Sequence, residues 1–191
     1  MNSLNIVYSL AGLNETKLVR KLVQHIVEFL RFTMQNNREW ITVKQEIDHI
    51  RNYLEIHKLR FPHNLTYFID TEDQLESILI PPLIIQPFVE NCIKHGFFQE
   101  HRSFHIEIIV RMAEKGGLEL TVKDNGNGFS QEQLARWRGS ADLPDKHIGI
   151  RNVMERLLIA YNGKALLRFD NAIGGGAVVA IGLPFSSKEA V

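Results

Sequence analysis

The stretch IPPLIIQPFVENCIKHGF, Ile80 to Phe97, decides how the rest of the chain is read. After the paired prolines Pro81 and Pro82, Leu83 to His95 has helical spacing, with Pro87 expected to kink or loosen its first turns. On a helix Glu90 stands above Lys94, and Asn91 stands above Lys94 and His95, so an acid, an amide and two potential cations share one flank. That set suits a metal-bound polyphosphate. The amide oxygen is a hard ligand for Mg²⁺, the carboxylate orients water or another ligand, and the ammonium neutralises phosphate oxygens. The same residues also read as a solvated helix face with one Glu90–Lys94 ion pair.

Downstream, His105 to Val110 and Leu118 to Lys123 are β-rich runs joined through Gly116 and Gly117, a hairpin connection where positive φ is cheap for glycine. The second run leads into Asp124-Asn125-Gly126-Asn127-Gly128. A carboxylate at a strand end can accept a hydrogen bond from an exocyclic amine, and Gly126 and Gly128 let backbone approach a ligand closely. DNGNG is equally a good turn sequence. Gln131 to Arg138 reads as a short helix, Gly139 to Lys146 as a mobile loop, and Ile150 to Ala160 as a helix. Gly149, Arg151 and Asn152 fall at that helix start, where free amides and a guanidinium can hold phosphate oxygens, or where an ordinary N-terminus simply begins. Leu166 to Phe169 and Ala177 to Leu183 close the chain as strands around Gly174, Gly175 and Gly176.

Upstream, Leu18, Leu22, Ile26, Phe29 and Leu30 recur at helical intervals over Thr16 to Met34. A second helix begins at Thr42, whose hydroxyl can cap it while Gln45 reaches back, and carries Val43, Ile47, Ile50 and Leu54 on one stripe. The pair predicts a helical hairpin. After Phe61 and Pro62 the period becomes two at Leu65, Tyr67 and Ile69, so a new domain is expected to start there.

The 191 residues are 45% hydrophobic and 23% charged, an ordinary soluble composition, and 22 basic side chains balance 22 acidic ones. The balance argues against nucleic acid as a partner. Cys92 has no cysteine to pair with, which points to a reducing, cytosolic compartment, and no apolar run approaches the roughly 20 residues of a membrane span. Any membrane anchor is expected upstream. Cys92, His95, His101 and His105 superficially offer zinc-like spacing, against which core packing of Cys92 is preferred.

In their order these elements resemble the GHKL ATPase superfamily, specifically histidine kinases of the LytS/YesM type, over nearly the whole chain. IPPLIIQPFVENCIKHGF looks like that family's N box, DNGNGF its first glycine box, HIGIRNVMERL its second, and GGGAVVAIGLP its terminal glycine-rich strand; IRNYLEIHKLRF resembles its linker before the ATP-binding domain. The implied fold is an α/β, two-layer Bergerat sandwich with a mixed sheet, preceded by an α-helical hairpin. The implied division is 1–60 as partial dimerisation and phosphotransfer helices and 61–191 as the ATP-binding catalytic domain.

By that resemblance Asn91 ligates Mg²⁺, Glu90 beside it positions the reacting groups, and Lys94 and His95 lie near the phosphates of ATP. Asp124 reads the adenine amine and Gly126 and Gly128 shape the pocket. Gly149, Arg151 and Asn152 anchor the far side of a lid, and Gly176 permits close packing under the nucleotide. His147 stands where the family often has a glycine, which puts tight lid closure in question. The implied partners are ATP, a cognate response regulator and a second copy of the full-length protein, with membrane contact only through upstream regions anchored in the bacterial inner membrane. The phosphorylated histidine of the family precedes an Asn-x-Leu-Asn segment, and this chain opens Met1-Asn2-Ser3-Leu4-Asn5, so the acceptor is expected upstream and the fragment is expected not to autophosphorylate. The residues around His25 do not match that acceptor motif. The alternatives are a non-catalytic nucleotide-binding regulatory module and a hydrolytic ATPase of the gyrase or chaperone kind. No P-loop or protein-kinase glycine loop occurs.

Overall fold

The computed structural model describes residues 16–34, 39–96, 103–114, 116–139 and 148–185. Helix α1 (Thr16–Met34) leads to the two-residue strand β1 (Ile41–Thr42) and helix α2 (Val43–Arg60). Thr42 caps α2 as its pattern predicts: the Gln45 N–H donates to the Thr42 hydroxyl (3.2 Å) and the Thr42 N–H to the Gln45 side chain (3.0 Å). α1 runs antiparallel against α2, with Lys21 bonded to Glu55 (3.2 Å), His25 to Asn52 (2.8 Å) and Phe29 stacked on His49 (4.8 Å between centroids).

There follow β2 (Leu65–Thr71), a 3₁₀ turn (Asp73–Leu75), β3 (Leu79–Ile80) and α3 (Gln86–Asn91), which widens into a π turn (Cys92–Gly96). The remaining elements are β4 (Phe104–Met112), β5 (Leu118–Asp124), α4 (Gln131–Gly139), α5 (Ile148–Tyr161), β6 (Leu166–Asn171) and β7 (Ala177–Leu183). The five-stranded sheet has the order β2-β4-β5-β7-β6, with β2 parallel to β4 and the other neighbours antiparallel, and β1 pairs separately with β3. This is a mixed sheet.

The period of two sorts each strand. Phe104, Ile106, Ile108 and Val110 of β4 and Leu118, Leu120 and Val122 of β5 are buried, and they meet Ile47, Ile50 and Leu54 of α2, Phe88 and Val89 of α3, and Val153 and Leu157 of α5 in one core. Helices therefore cover one face, giving the two-layer α/β sandwich. The core runs without a break across residues 60 and 61, because α2 packs on the sheet itself and β1 pairs with β3.

Two differences from the sequence pattern bear on the site. Leu83 to Ile85 form a turn, not helix, and Pro87 falls in the first turn of α3, where a missing N–H has no carbonyl to leave unpaired, so no kink results. α5 begins at Ile148, which draws Gly149 and Arg151 into its first turn.

His57 lies against Tyr53, centroids 4.6 Å apart, with a buried Nδ1 that has no hydrogen-bond partner. Burial, and secondarily the charge of Arg60, lowers its pKa to about 4 from an ordinary 6.5. The folded state thus prefers the neutral ring, so the stability tied to His57 is complete above pH 6.5 and is lost as pH falls toward 4. Urea titrations across that window are expected to show a shallower acid decline for His57→Gln than for the unsubstituted chain.

Candidate functional site

The N-terminus of α3 is set by a carboxylate from another element. Glu46 on α2, fully buried, accepts the backbone N–H of Leu83 (2.9 Å) and of Ile85 (3.0 Å). Burial pushes its pKa up, and the backbone amides from Leu83 to Gln86 pull it back down. Leu83 is held at φ 57°, a left-handed conformation that a leucine adopts only when its surroundings impose it. From the other side Arg156 on α5 donates to the Pro82 carbonyl. Gly149 abuts Pro87 closely enough that a Cβ there would stand 3.4 Å from the proline ring.

So anchored, α3 delivers Asn91 to a cavity of about 270 Å³ between α3, α4, α5 and the sheet. Asn91, His95, Asp124 and Gly128 line it together. Glu90 and Lys94 do not; they lie one row around the helix on its exposed side, where Glu90 accepts from the Gln86 side chain at 2.5 Å. The shared flank predicted for all four residues is therefore split into a cavity pair and a solvent pair, because positions 90 and 91 are about 100° apart on a helix.

Asp124 occupies the last position of the buried face of β5, where the alternation calls for an apolar residue, and is 5% exposed. Its Oδ1 accepts N–H from Gly126 (2.7 Å) and Ala177 (3.2 Å). Beside it, burial and then the charge and hydrogen bond of Asp124 push the Cys92 thiol well above its ordinary pKa, so this cysteine stays protonated. Gly176 lies directly under the Asp124 backbone, where an added Cβ would fall 1.9 Å from the Asp124 carbonyl oxygen. The close approach read for Gly176 is thus made to the protein's own chain.

Several lining residues escaped the sequence reading. Phe129, Trp137 and Phe169 form an aromatic wall, with centroid separations of 4.9 Å for Phe129–Trp137 and 4.5 Å for Trp137–Phe169. Asn171 clamps Phe129, accepting its N–H (2.7 Å) and donating to its carbonyl (2.9 Å), and a Cβ on Gly128 would strike that same Asn171 side chain at 2.5 Å. Phe129 ends the DNGNGF motif. Trp137, Phe169 and Asn171 lie outside every motif and carried no signal.

At the start of α5, Ile150 lines the cavity, while Arg151 and Asn152 are exposed and outside its lining, Arg151 standing 3.8 Å from Glu155. His147 and the segment 140–147 lie outside the described residues, as does His101. Among the described residues no group of three or more His, Cys, Asp or Glu side chains could hold a metal ion, and of the zinc-like pattern Cys92 packs in the core. A hard cation there would rest on the half-buried Asn91 amide and on oxygens brought by a ligand, a donor set that fits Mg²⁺ accompanying phosphates.

Fold and site together define a two-layer α/β ligand-binding domain with an aromatic-walled cavity and a carboxylate at its floor. A family model described as "Histidine kinase" matches residues 1–65, and one described as "Histidine kinase-, DNA gyrase B-, and HSP90-like ATPase" matches residues 81–187. The chain belongs to the latter family. It is 28% identical to "Sensor protein LytS" of Bacillus anthracis over 186 residues, 96% of this chain and 31% of that protein. It is 30% identical to "Sensor histidine kinase YesM" of Bacillus subtilis over 183 residues, 96% of this chain and 30% of that protein. The chain therefore spans about a third of the length of these relatives. The solved histidine kinase domain of the Erythrobacter litoralis EL346 blue-light activated histidine kinase superposes with a TM-score of 0.58 at 16% identity, covering 100% of this chain and 91% of that one, and so shares the fold.

Gly176→Ala is expected to destabilise the chain by about 2–4 kcal/mol through strain at positive φ plus the clash with Asp124. Gly174→Ala, also at positive φ but with nothing within 4 Å of its added Cβ, is expected to cost only about 1 kcal/mol. Urea denaturation of both variants compares them directly.

Proposed function

We propose that the cavity binds ATP and that this chain is the ATP-binding catalytic part of a two-component sensor histidine kinase, passing the γ-phosphoryl to a histidine upstream of the chain and from there to a response regulator. The observation that carries the reading is the convergence of Asn91 and Asp124, from a helix end and a strand end, on one aromatic-walled cavity in a member of this ATPase family. The Asp124 carboxylate accepts the adenine amine while the ring packs against Phe169, Trp137 and the apolar floor of Val122 and Val179. Asn91 holds Mg²⁺, which neutralises phosphate charge when bound. Glu90, next to Asn91, positions the reacting groups. His95 at the cavity edge and Lys94 on the exposed side of the same turn would supply donors to the phosphates, joined by Gly149, Arg151 and Asn152 at the start of α5. In the transfer a ring nitrogen of the acceptor bonds to the γ-phosphorus, the bond to the bridging oxygen breaks, and ADP leaves; positioning and charge neutralisation supply the rate.

The division 1–60 and 61–191 is retained as one of role: helices that contribute to dimerisation and phosphotransfer, then the nucleotide-binding part. Val23, Val27, Leu30 and Met34 form an exposed apolar stripe on α1, which supports pairing with a second copy. No helix among the described residues is long and apolar enough to cross a membrane, and the proposed anchor in the bacterial inner membrane belongs to upstream regions, with this part in the cytoplasm.

Nucleotide titration with and without Mg²⁺ tests the reading. Asn91→Ala is expected to abolish the Mg²⁺ dependence of ATP binding, a loss of at least about tenfold, and Asp124→Ala to weaken binding about 10–100-fold with or without the metal. Undiminished Mg²⁺-dependent binding by Asn91→Ala would remove the metal role.

A further inference from the structure

A chain of side-chain bonds runs from α2 to the solvent side of α3, and its first member is stacked against rings of α1. His49 of α2 is 2% exposed, and its ring lies between Phe29 and Phe32 of α1, with centroid distances of 4.8 and 4.1 Å and interplanar angles of 13° and 18°. Its Nε2 meets the Gln86 amide oxygen, and Gln86 Nε2 donates to Glu90 Oε1 at 2.5 Å. The carboxylate sets the direction of the whole chain. An ionised carboxylate only accepts, so Gln86 turns its amino group to Glu90 and its oxygen to His49, and the imidazole must present Nε2–H. Burial holds the His49 pKa below its ordinary value while the Gln86 bond acts the other way, so at neutral pH the ring carries one proton. Its Nδ1 is buried with no partner. Packing between two phenylalanines does not require an imidazole, and a hydrocarbon ring would fill the space without an unpaired nitrogen. What the imidazole adds is the bond to Gln86.

We propose that His49 is a positioning residue for the phosphoryl transfer, holding the Glu90 carboxylate beside Asn91 through the Gln86 amide, with Phe29 and Phe32 of α1 fixing the ring that does so; this rests on the kinase reading given above. Glu90 is exposed, and a glutamate released from Gln86 spreads over several rotamers. The three-residue chain confines it to one. Because two of the groups that hold the ring belong to α1, a shift of that helix along α2 would loosen Glu90 with no change in the nucleotide cavity itself. The α1–α2 hairpin thereby acquires a route to the reacting groups that bypasses ATP binding.

The test is steady-state autophosphorylation in the protein carrying its acceptor histidine, with His49→Phe, which keeps the stack and removes the donor, and His49→Gln, which restores an N–H. His49→Phe is expected to lower kcat about tenfold with KM for ATP changed less than about twofold, and His49→Gln to recover most of the loss. Gln86→Leu is expected to match His49→Phe, and the double variant to be no slower than either single one. An unchanged kcat for His49→Phe, a His49→Gln as slow as His49→Phe, or additive losses in the double variant would overturn the proposal. An unsubstituted protein that binds no Mg²⁺-ATP or transfers no phosphoryl group would overturn the kinase reading itself, and the role of His49 with it, before any variant is compared.

Discussion

The Glu46 carboxylate, buried on α2 and receiving the N–H groups of Leu83 and Ile85, is the contact on which the geometry of the site depends. Each buried backbone donor left unpaired would cost about 1–3 kcal/mol, so the two together outweigh the few tenths that helix propensity contributes over a six-residue helix such as α3. A helix of that length does not hold its own start, and here the start is supplied by α2 and, through Arg156 and the Pro82 carbonyl, by α5. The left-handed Leu83 is the local strain this arrangement sustains. With the start fixed, the far end of the helix places Asn91 at the cavity and the π turn carries His95 along its edge.

A second constraint acts at the sheet. Asp124 sits at the final inward position of β5, so the pleat that buries Leu118, Leu120 and Val122 also aims a carboxylate inward. Two backbone amides meet one of its oxygens, and Gly176 lets β7 pass beneath it at a distance no side chain would permit. Asn125 ties the same turn to the start of β4, accepting the His105 N–H at 2.8 Å and donating to the Ser103 carbonyl at 3.0 Å. The floor of the cavity is thus a braced backbone corner, while its walls are rings that can pack on a planar ligand.

Where information was local, the pattern of residues sufficed. Alternation marked β4 and β5, Thr42 and Gln45 announced the start of α2, and the residue types at Asn91 and Asp124 marked two positions that the fold brings to one cavity. What stayed hidden was contact between segments far apart in the chain. Nothing around Glu46 says that its partners are 37 and 39 positions away, and nothing around Asn171 says that it clamps Phe129, 42 positions back. Pro87 was read by its usual effect in a helix interior, whereas a tertiary cap starts the helix one residue earlier and makes the proline harmless. Helix spacing puts Glu90 and Lys94 on one flank with Asn91 and His95, but it cannot tell which row of that flank faces the cavity.

The most direct measurement is a crystal structure of the chain with Mg²⁺ and a non-hydrolysable ATP analogue. The expected result is the adenine amine on the Asp124 carboxylate, the metal on the Asn91 amide oxygen, and the Glu46 bonds to Leu83 and Ile85 intact. A nucleotide seated outside this cavity, or a metal held without Asn91, would contradict it.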